Sequence, residues 1–177
     1  MSAPATSAPE AFSALRYEIA PARGGAPFLA QPMTAADAGP LAEAVSALEP
    51  WRTYAYPADK LAACLARHEP GAPRFVLHHE GKLAGGMGLR LNWMRGPYVQ
   101  FLAVLPPFQC QGLGSALLAW VEAQARAGGE RNLWIAASEI NAHARRLYQR
   151  LGFREVANLD DLVCDGRAEI LYRKRLA

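Results

Sequence analysis

Apolar and polar positions along this chain change period several times, and each change marks an element. Phe28 to Gln31, bracketed by Pro27 and Pro32, reads as a short strand. Thr34-Ala35-Ala36-Asp37 has the spacing of a capping box and opens a helix to about Leu48, although Gly39-Pro40 leaves its start open between Thr34 and Pro40. Glu49-Pro50-Trp51-Arg52 breaks that helix, and Pro57, as the first helical residue, opens a second through about Arg67. Arg74 to His79 is a strand, Glu80-Gly81 a tight turn and Lys82 to Leu91 the returning strand. After a turn over 92–97, Tyr98 to Val104 is nearly all apolar, as a central strand is. Gly112 to about Ala127 is amphipathic at helical period, and Leu133 to Ala137 is again strand-like. A helix opened by Asn141 and closed by Gly152 follows, because Asn caps N-termini and Gly ends helices. Glu155–Val163 and Ala168–Arg175 pair around Asp165-Gly166.

The resulting order is β-α-α-β-β-β-α-β-α-β-β, an α+β domain over residues 26–177 with a mixed, mostly antiparallel sheet. Residues 1–25, rich in Ala, Pro, Ser and Gly, read as a weakly structured tail with room for one short strand or helix around Phe12 to Ile19.

Composition narrows the class. A chain of 177 residues, 51% hydrophobic and 20% charged, is an ordinary globular balance. No run approaches the roughly 18 apolar residues of a membrane span, and the first residues lack the basic start and apolar core of a secretory signal. Cys64, Cys110 and Cys164 are scattered and odd in number, so a reducing cytoplasm is expected and no disulfide framework. The net charge of +3 is weak, and Arg173-Lys174-Arg175 reads as a solvated strand end rather than a nucleic-acid patch. His78 and His79 point to opposite faces of one strand, and no metal site is expected.

The most informative stretch joins the strand ending at Val104 to the helix after Gly112. Glycines at a helix start leave backbone N–H groups unpaired and let an anion approach closely, and the helix dipole adds positive potential. Gln109, Cys110, Gln111, Gly112, Leu113, Gly114 and Ser115 therefore read as a diphosphate cradle. A Walker loop would need a Lys-Ser/Thr pair after its second glycine, and Gly114 is followed by Ser115-Ala116. A dinucleotide fingerprint would need a third glycine and a shorter preceding loop.

The pattern Gln109-x-x-Gly112-x-Gly114, after a strand ending Val104-x-Pro106, resembles the acyl-CoA motif of the GNAT N-acetyltransferase superfamily. The second signature agrees. A strand is followed by an Asn141-initiated helix, an aromatic Tyr148 seven positions on, then Leu151-Gly152-Phe153. The resemblance is specific from about Tyr98 to the C-terminus and matches the first half in element order. It implies that acetyl-CoA binds in a splay between the strand holding Leu102, Ala103 and Val104 and the strand Leu133–Ala137. It further implies that the 109–115 loop holds the pyrophosphate, that Asn141 addresses the pantetheine arm, and that Tyr148 protonates the departing thiolate. The implied reaction is direct attack by a primary amine in a ternary complex, with no metal.

The proton acceptor is less legible. Ribosomal-protein acetyltransferases of this family carry a Glu five positions before the helix-opening Asn, and Ala136 stands there. Glu49 is the first substitute, with Glu139, Asp160 and Asp161 behind it. Trp51, Tyr54 and Tyr56 lie in the loop between the first two helices, where they either wall an acceptor pocket or pack the helix pair. A non-catalytic acyl-CoA-binding module is the rival reading: Tyr148 favours the enzyme, Ala136 the rival. Dimerisation is common in the resembled family, and nothing in the sequence fixes it.

Overall fold

In a computed structural model the described residues are 12–14, 16–21 and 24–176. Eight strands form one sheet in the order β1-β2-β3-β4-β5-β6-β8-β7. They are β1 (Tyr17–Ile19), β2 (Phe28–Pro32), β3 (Arg74–His79), β4 (Lys82–Trp93), β5 (Gly96–Val104), β6 (Asn132–Ser138), β7 (Arg154–Asp160) and β8 (Ala168–Arg175). Every neighbouring pair is antiparallel except β5 and β6. The expected mixed sheet is present, with β1 added at its edge.

Of residues 1–25, positions 1–11, 15, 22 and 23 lie outside the described residues. Tyr17–Ile19 pairs with β2, and Phe12 and Ile19 enter the core.

Among the described residues four helices cover the sheet: α1 (Ala35–Ser46), α2 (Ala58–Ala66), α3 (Leu113–Ala127) and α4 (Ala142–Arg150). α1 starts five residues before Pro40, because the Asp37 carboxylate accepts from the Thr34 N–H at 2.8 Å and Ala38 is buried. Pro57 is the N-cap of α2 rather than its first helical residue. α1 and α3 take opposite faces. A Cβ on Gly86 of β4 would meet Leu41 of α1 at 2.4 Å, whereas Phe75, paired with the adjacent Met87, meets the Trp120 ring of α3 at 5.5 Å.

The β7–β8 turn is wider than Asp165-Gly166 alone. β7 ends at Asp160, and Asp161 N–H donates to the Arg167 carbonyl at 2.9 Å, closing a loop over 161–167. Asp161 takes a left-handed φ of 56° there, and its carboxylate accepts from Gly166 N–H at 2.6 Å. That Asx-type tie ends the strand early and leaves Leu162 and Val163 exposed.

The one parallel junction positions the site. β5 and β6 pair only at Tyr98↔Trp134 and Val99↔Ile135. Their lower ends are clamped: Trp134 Nε1 donates to Met94 O at 3.3 Å, and Asn132 Nδ2 to Arg95 O at 3.2 Å. A Cβ on Gly96 would lie 1.8 Å from the Asn132 carbonyl oxygen, so only glycine lets the two backbones meet here. Past Val99 and Ile135 the ladder stops, while β5 remains paired to β4 up to Val104 and β6 to β8 up to Ser138. The result is a wedge-shaped gap inside an otherwise continuous sheet.

Candidate active site

The free edges of that gap carry backbone groups that need partners. Leu105 N–H bonds Ala84 O of β4 at 2.9 Å. Strand alternation then turns the N–H groups of Leu102 and Val104 away from β4 and into the gap, with Ala103 directed to β4. The Val104 carbonyl is taken by Gln109 Nε2 at 2.8 Å, which folds the following loop back over the strand end.

The loop then turns sharply. Pro106–Phe108 makes one 3-10 turn, Cys110 has φ 61°, and Gly112 has φ 84° as N-cap of α3. Gln111 Nε2 ties to Pro107 O at 2.8 Å. No backbone amide from Cys110 through Ser115 has an intramolecular acceptor among the described residues. These donors sit at the positive end of a 15-residue helix, next to the open end of the gap. These residues could hold a diphosphate, which would supply the acceptors that the amides lack, and left-handed Gly112 puts no side chain in its way.

α4 lies beside this cradle. A Cβ on Gly114 would approach Leu147 at 3.3 Å. Asn141 caps α4, its side-chain oxygen accepting from Ala144 N at 3.1 Å, which leaves its amide nitrogen free to donate. Two turns on, Tyr148 is buried against Tyr172 of β8 and Phe153, at ring distances of 5.7 and 6.0 Å. Its hydroxyl makes no hydrogen bond among the described residues. Burial first, then nearby Tyr98, Tyr172 and Glu169, push its pKa well above the ordinary phenol range. Burial thus favours the protonated, hydrogen-donating phenol.

The opposite face of the gap is covered by the α1–α2 loop. Trp51 packs on Phe101 of β5 at 5.7 Å, and Tyr54 reaches β6 and β8. Its hydroxyl contacts Ser138 Oγ and donates to Glu169 Oε1 at 2.9 Å. The loop thus bridges the two parted strands, and both readings of its aromatics are partly met: Trp51 and Tyr54 roof the gap, while Tyr56 is exposed.

The expected carboxylates are each tied to a neighbour. Glu49 is exposed at the start of this loop, bonded by Arg52 at 2.6 Å and by Thr53 N–H at 3.2 Å. Thr53 and Arg52 hold its carboxyl below the usual range, the wrong direction for taking a proton near neutrality. Glu139 faces Arg167 at 3.8 Å, and Asp160 and Asp161 are bonded within the last hairpin. Sequence reasoning missed Glu169 and Ser138. Both lie on strands it recognised, but their pairing across β6 and β8 is a non-local register that no local pattern carries.

Among known proteins, the model of the Acetyltransferase (GNAT) family matches residues 39–153, from within α1 to just past α4. An aminoalkylphosphonate N-acetyltransferase of Salmonella typhimurium is 34% identical over 82 residues, 46% of this chain and 45% of that protein. A ribosomal protein bS18–alanine N-acetyltransferase of Haemophilus influenzae is 40% identical over 55 residues, 31% of this chain and 37% of that protein. The matched stretch is thus less than half the length of either curated relative. A crystal structure described as a GNAT-family acetyltransferase from Desulfovibrio desulfuricans superposes with a TM-score of 0.65 at 26% identity. It covers 85% of this chain and 99% of its own.

Proposed function

The chain belongs to the GNAT acetyltransferase family, and from that premise we propose that it transfers an acetyl group from acetyl-CoA to a primary amine by direct attack in a ternary complex. The observation that carries this reading is the gap beyond Val99 and Ile135, lined by free backbone edges and continuous with the unpaired amides at residues 110–115. A pantetheine arm completes β5 as an added strand, its pyrophosphate on the α3 cradle and its arm within reach of Asn141. The Leu102 and Val104 amides point where a thioester carbonyl lies, and one of them polarises it and stabilises the tetrahedral oxyanion. Tyr148 gives its hydrogen to the leaving sulfur. Its raised pKa does not forbid this, because the same dry surroundings raise the pKa of a thiolate formed beside it. The rival reading, a non-catalytic acyl-CoA sensor, gives no use for a buried phenol without a hydrogen-bond partner. We further propose an amine acceptor and a cytoplasmic reaction, with neither nucleic acid nor membrane as partner.

The acceptor names carried by the two curated relatives suggest the assay. Acetyl-CoA is mixed with a panel comprising 2-aminoethylphosphonate, a peptide with an N-terminal alanine, and simple primary amines, and free thiol is followed. Thiol release that depends on one amine and yields its acetamide is expected. Tight acetyl-CoA binding with no release on any amine would favour the sensor.

A further inference from the structure

Among the described residues, Glu169 is a half-buried carboxylate beside the parted end of β6 that no Lys or Arg pairs with. We propose that Glu169, held by Tyr54 across from Ser138, accepts the proton of the incoming amine on the face of the sheet opposite Tyr148. This rests on the acetyl-transfer reading above.

Strand alternation sets the two faces. Tyr172 packs under Tyr148 on the α4 side, so Glu169, three positions away on β8, is on the other side, beneath the α1–α2 loop. Ser138 and Glu169 are direct cross-strand partners at the end of β6, where it has already parted from β5. Ala136 pairs with Leu171 on the same face, so Glu169 lies one diagonal step from a position that carries no carboxylate. Tyr54 fixes Oε1 of Glu169 at 2.9 Å, while Oε2 accepts no hydrogen bond among the described residues. No Lys or Arg among them pairs with Glu169; Arg167, its nearest basic neighbour in sequence, faces Glu139. Burial first, then Glu139, push its carboxyl up, and the Tyr54 bond holds it partly down. A carboxylate raised toward neutrality is a better match for an ammonium than a free surface glutamate.

The proton balance closes. Glu169 takes one proton from the acceptor ammonium and passes it to water. The neutral amine nitrogen attacks the thioester carbon, so C–N forms and C–S breaks. Tyr148 protonates the sulfur, and the remaining proton on the new amide nitrogen restores the phenol through solvent. The net products are the amide, the thiol and one proton.

The test uses full-length protein, acetyl-CoA and whichever panel amine gives turnover. Glu169→Gln keeps the shape and the Tyr54 contact but cannot take a proton. Its kcat/KM at pH 7 is expected to fall about 10²-fold, with unchanged stabilisation by acetyl-CoA, and to recover as pH rises and the amine deprotonates unaided. Tyr54→Phe removes the bond that lowers the Glu169 pKa, so the acid limb of the rate profile is expected to move to higher pH. The other titratable groups near the pair are Tyr98 on β5, Tyr148 on α4, Glu139 after β6 and Cys164 in the last loop. Cys164→Ser and Glu139→Gln controls show which limb belongs to Glu169. If Glu169→Gln does not fold, the Tyr54→Phe limb shift decides. Wild-type turnover with an unaltered Glu169→Gln rate, or an unmoved limb in Tyr54→Phe, overturns the assignment alone. Absence of wild-type turnover on every amine overturns it together with the acetyl-transfer reading.

Discussion

Tyr148→Phe is expected to lower turnover about 10²-fold, the usual range for loss of a positioned general acid, while leaving acetyl-CoA affinity nearly unchanged. The reason lies in what the substitution keeps. The ring packs on Tyr172 and Phe153, and both contacts survive in phenylalanine. The hydroxyl holds no hydrogen-bond partner among the described residues, so its loss leaves no orphaned donor or acceptor there and costs little stability. What disappears is the buried hydroxyl donor that α4 holds against Tyr172 and Phe153. Single-turnover rates with the active amine, beside a titration of acetyl-CoA, separate the two effects. Unaltered turnover with chemistry rate-limiting would reduce Tyr148 to packing and leave the thiolate to water.

Gly112→Val is expected to act on binding instead. Gly112 holds φ 84° at the head of α3, a region that costs a β-branched residue about 1–3 kcal/mol. The loop can relieve that strain by turning over, and the amides of residues 110–115 then no longer converge. A lost hydrogen bond to a charged group is worth about 1.5–3 kcal/mol, so CoA affinity should fall roughly 10- to 100-fold. Fold stability should fall less, because Gly112 joins a loop to a helix rather than filling the core. Calorimetric titration with CoA and a urea melt of the same preparation make the comparison. A folded variant that binds CoA like the parent would place the cradle elsewhere.

The legible half of this protein was legible for local reasons. Positive φ at Gly112, capping by Asn141, the apolar run ending at Val104 and the spacing to Tyr148 each depend on a few adjacent residues. The glycine start of α3 and the whole of α4 were therefore readable before any contact was known. The Thr34–Asp37 cap was readable too, and it carries α1 through Gly39-Pro40, where sequence alone left the start open.

What stayed hidden depends on register. Nothing near Glu169 in sequence distinguishes it from a solvated strand glutamate. Its role emerges only when β8 pairs with β6 and Tyr54 arrives from more than a hundred residues away. Glu49 drew attention because it sits in the right loop, but Arg52, three residues on, bonds it at the surface. The β5–β6 gap was expected from resemblance; physically it needs Gly96 to clamp one end and the absence of pairing past Val99 at the other. The edge strand β1 was left open between strand and helix because three residues are too few to show a period.

Acetyl-CoA is expected to bind in the gap and on the α3 cradle. Thermal unfolding with acetyl-CoA, CoA, ATP and NAD tests it most directly. A ligand of the native state at about 100 times its Kd adds about 2.7 kcal/mol, which is about 5–10 °C in Tm for a domain of this size. Acetyl-CoA and CoA should raise Tm by that amount and ATP and NAD by little, with the rise diminished in Gly112→Val. Equal stabilisation by NAD, or none by CoA, would contradict the account.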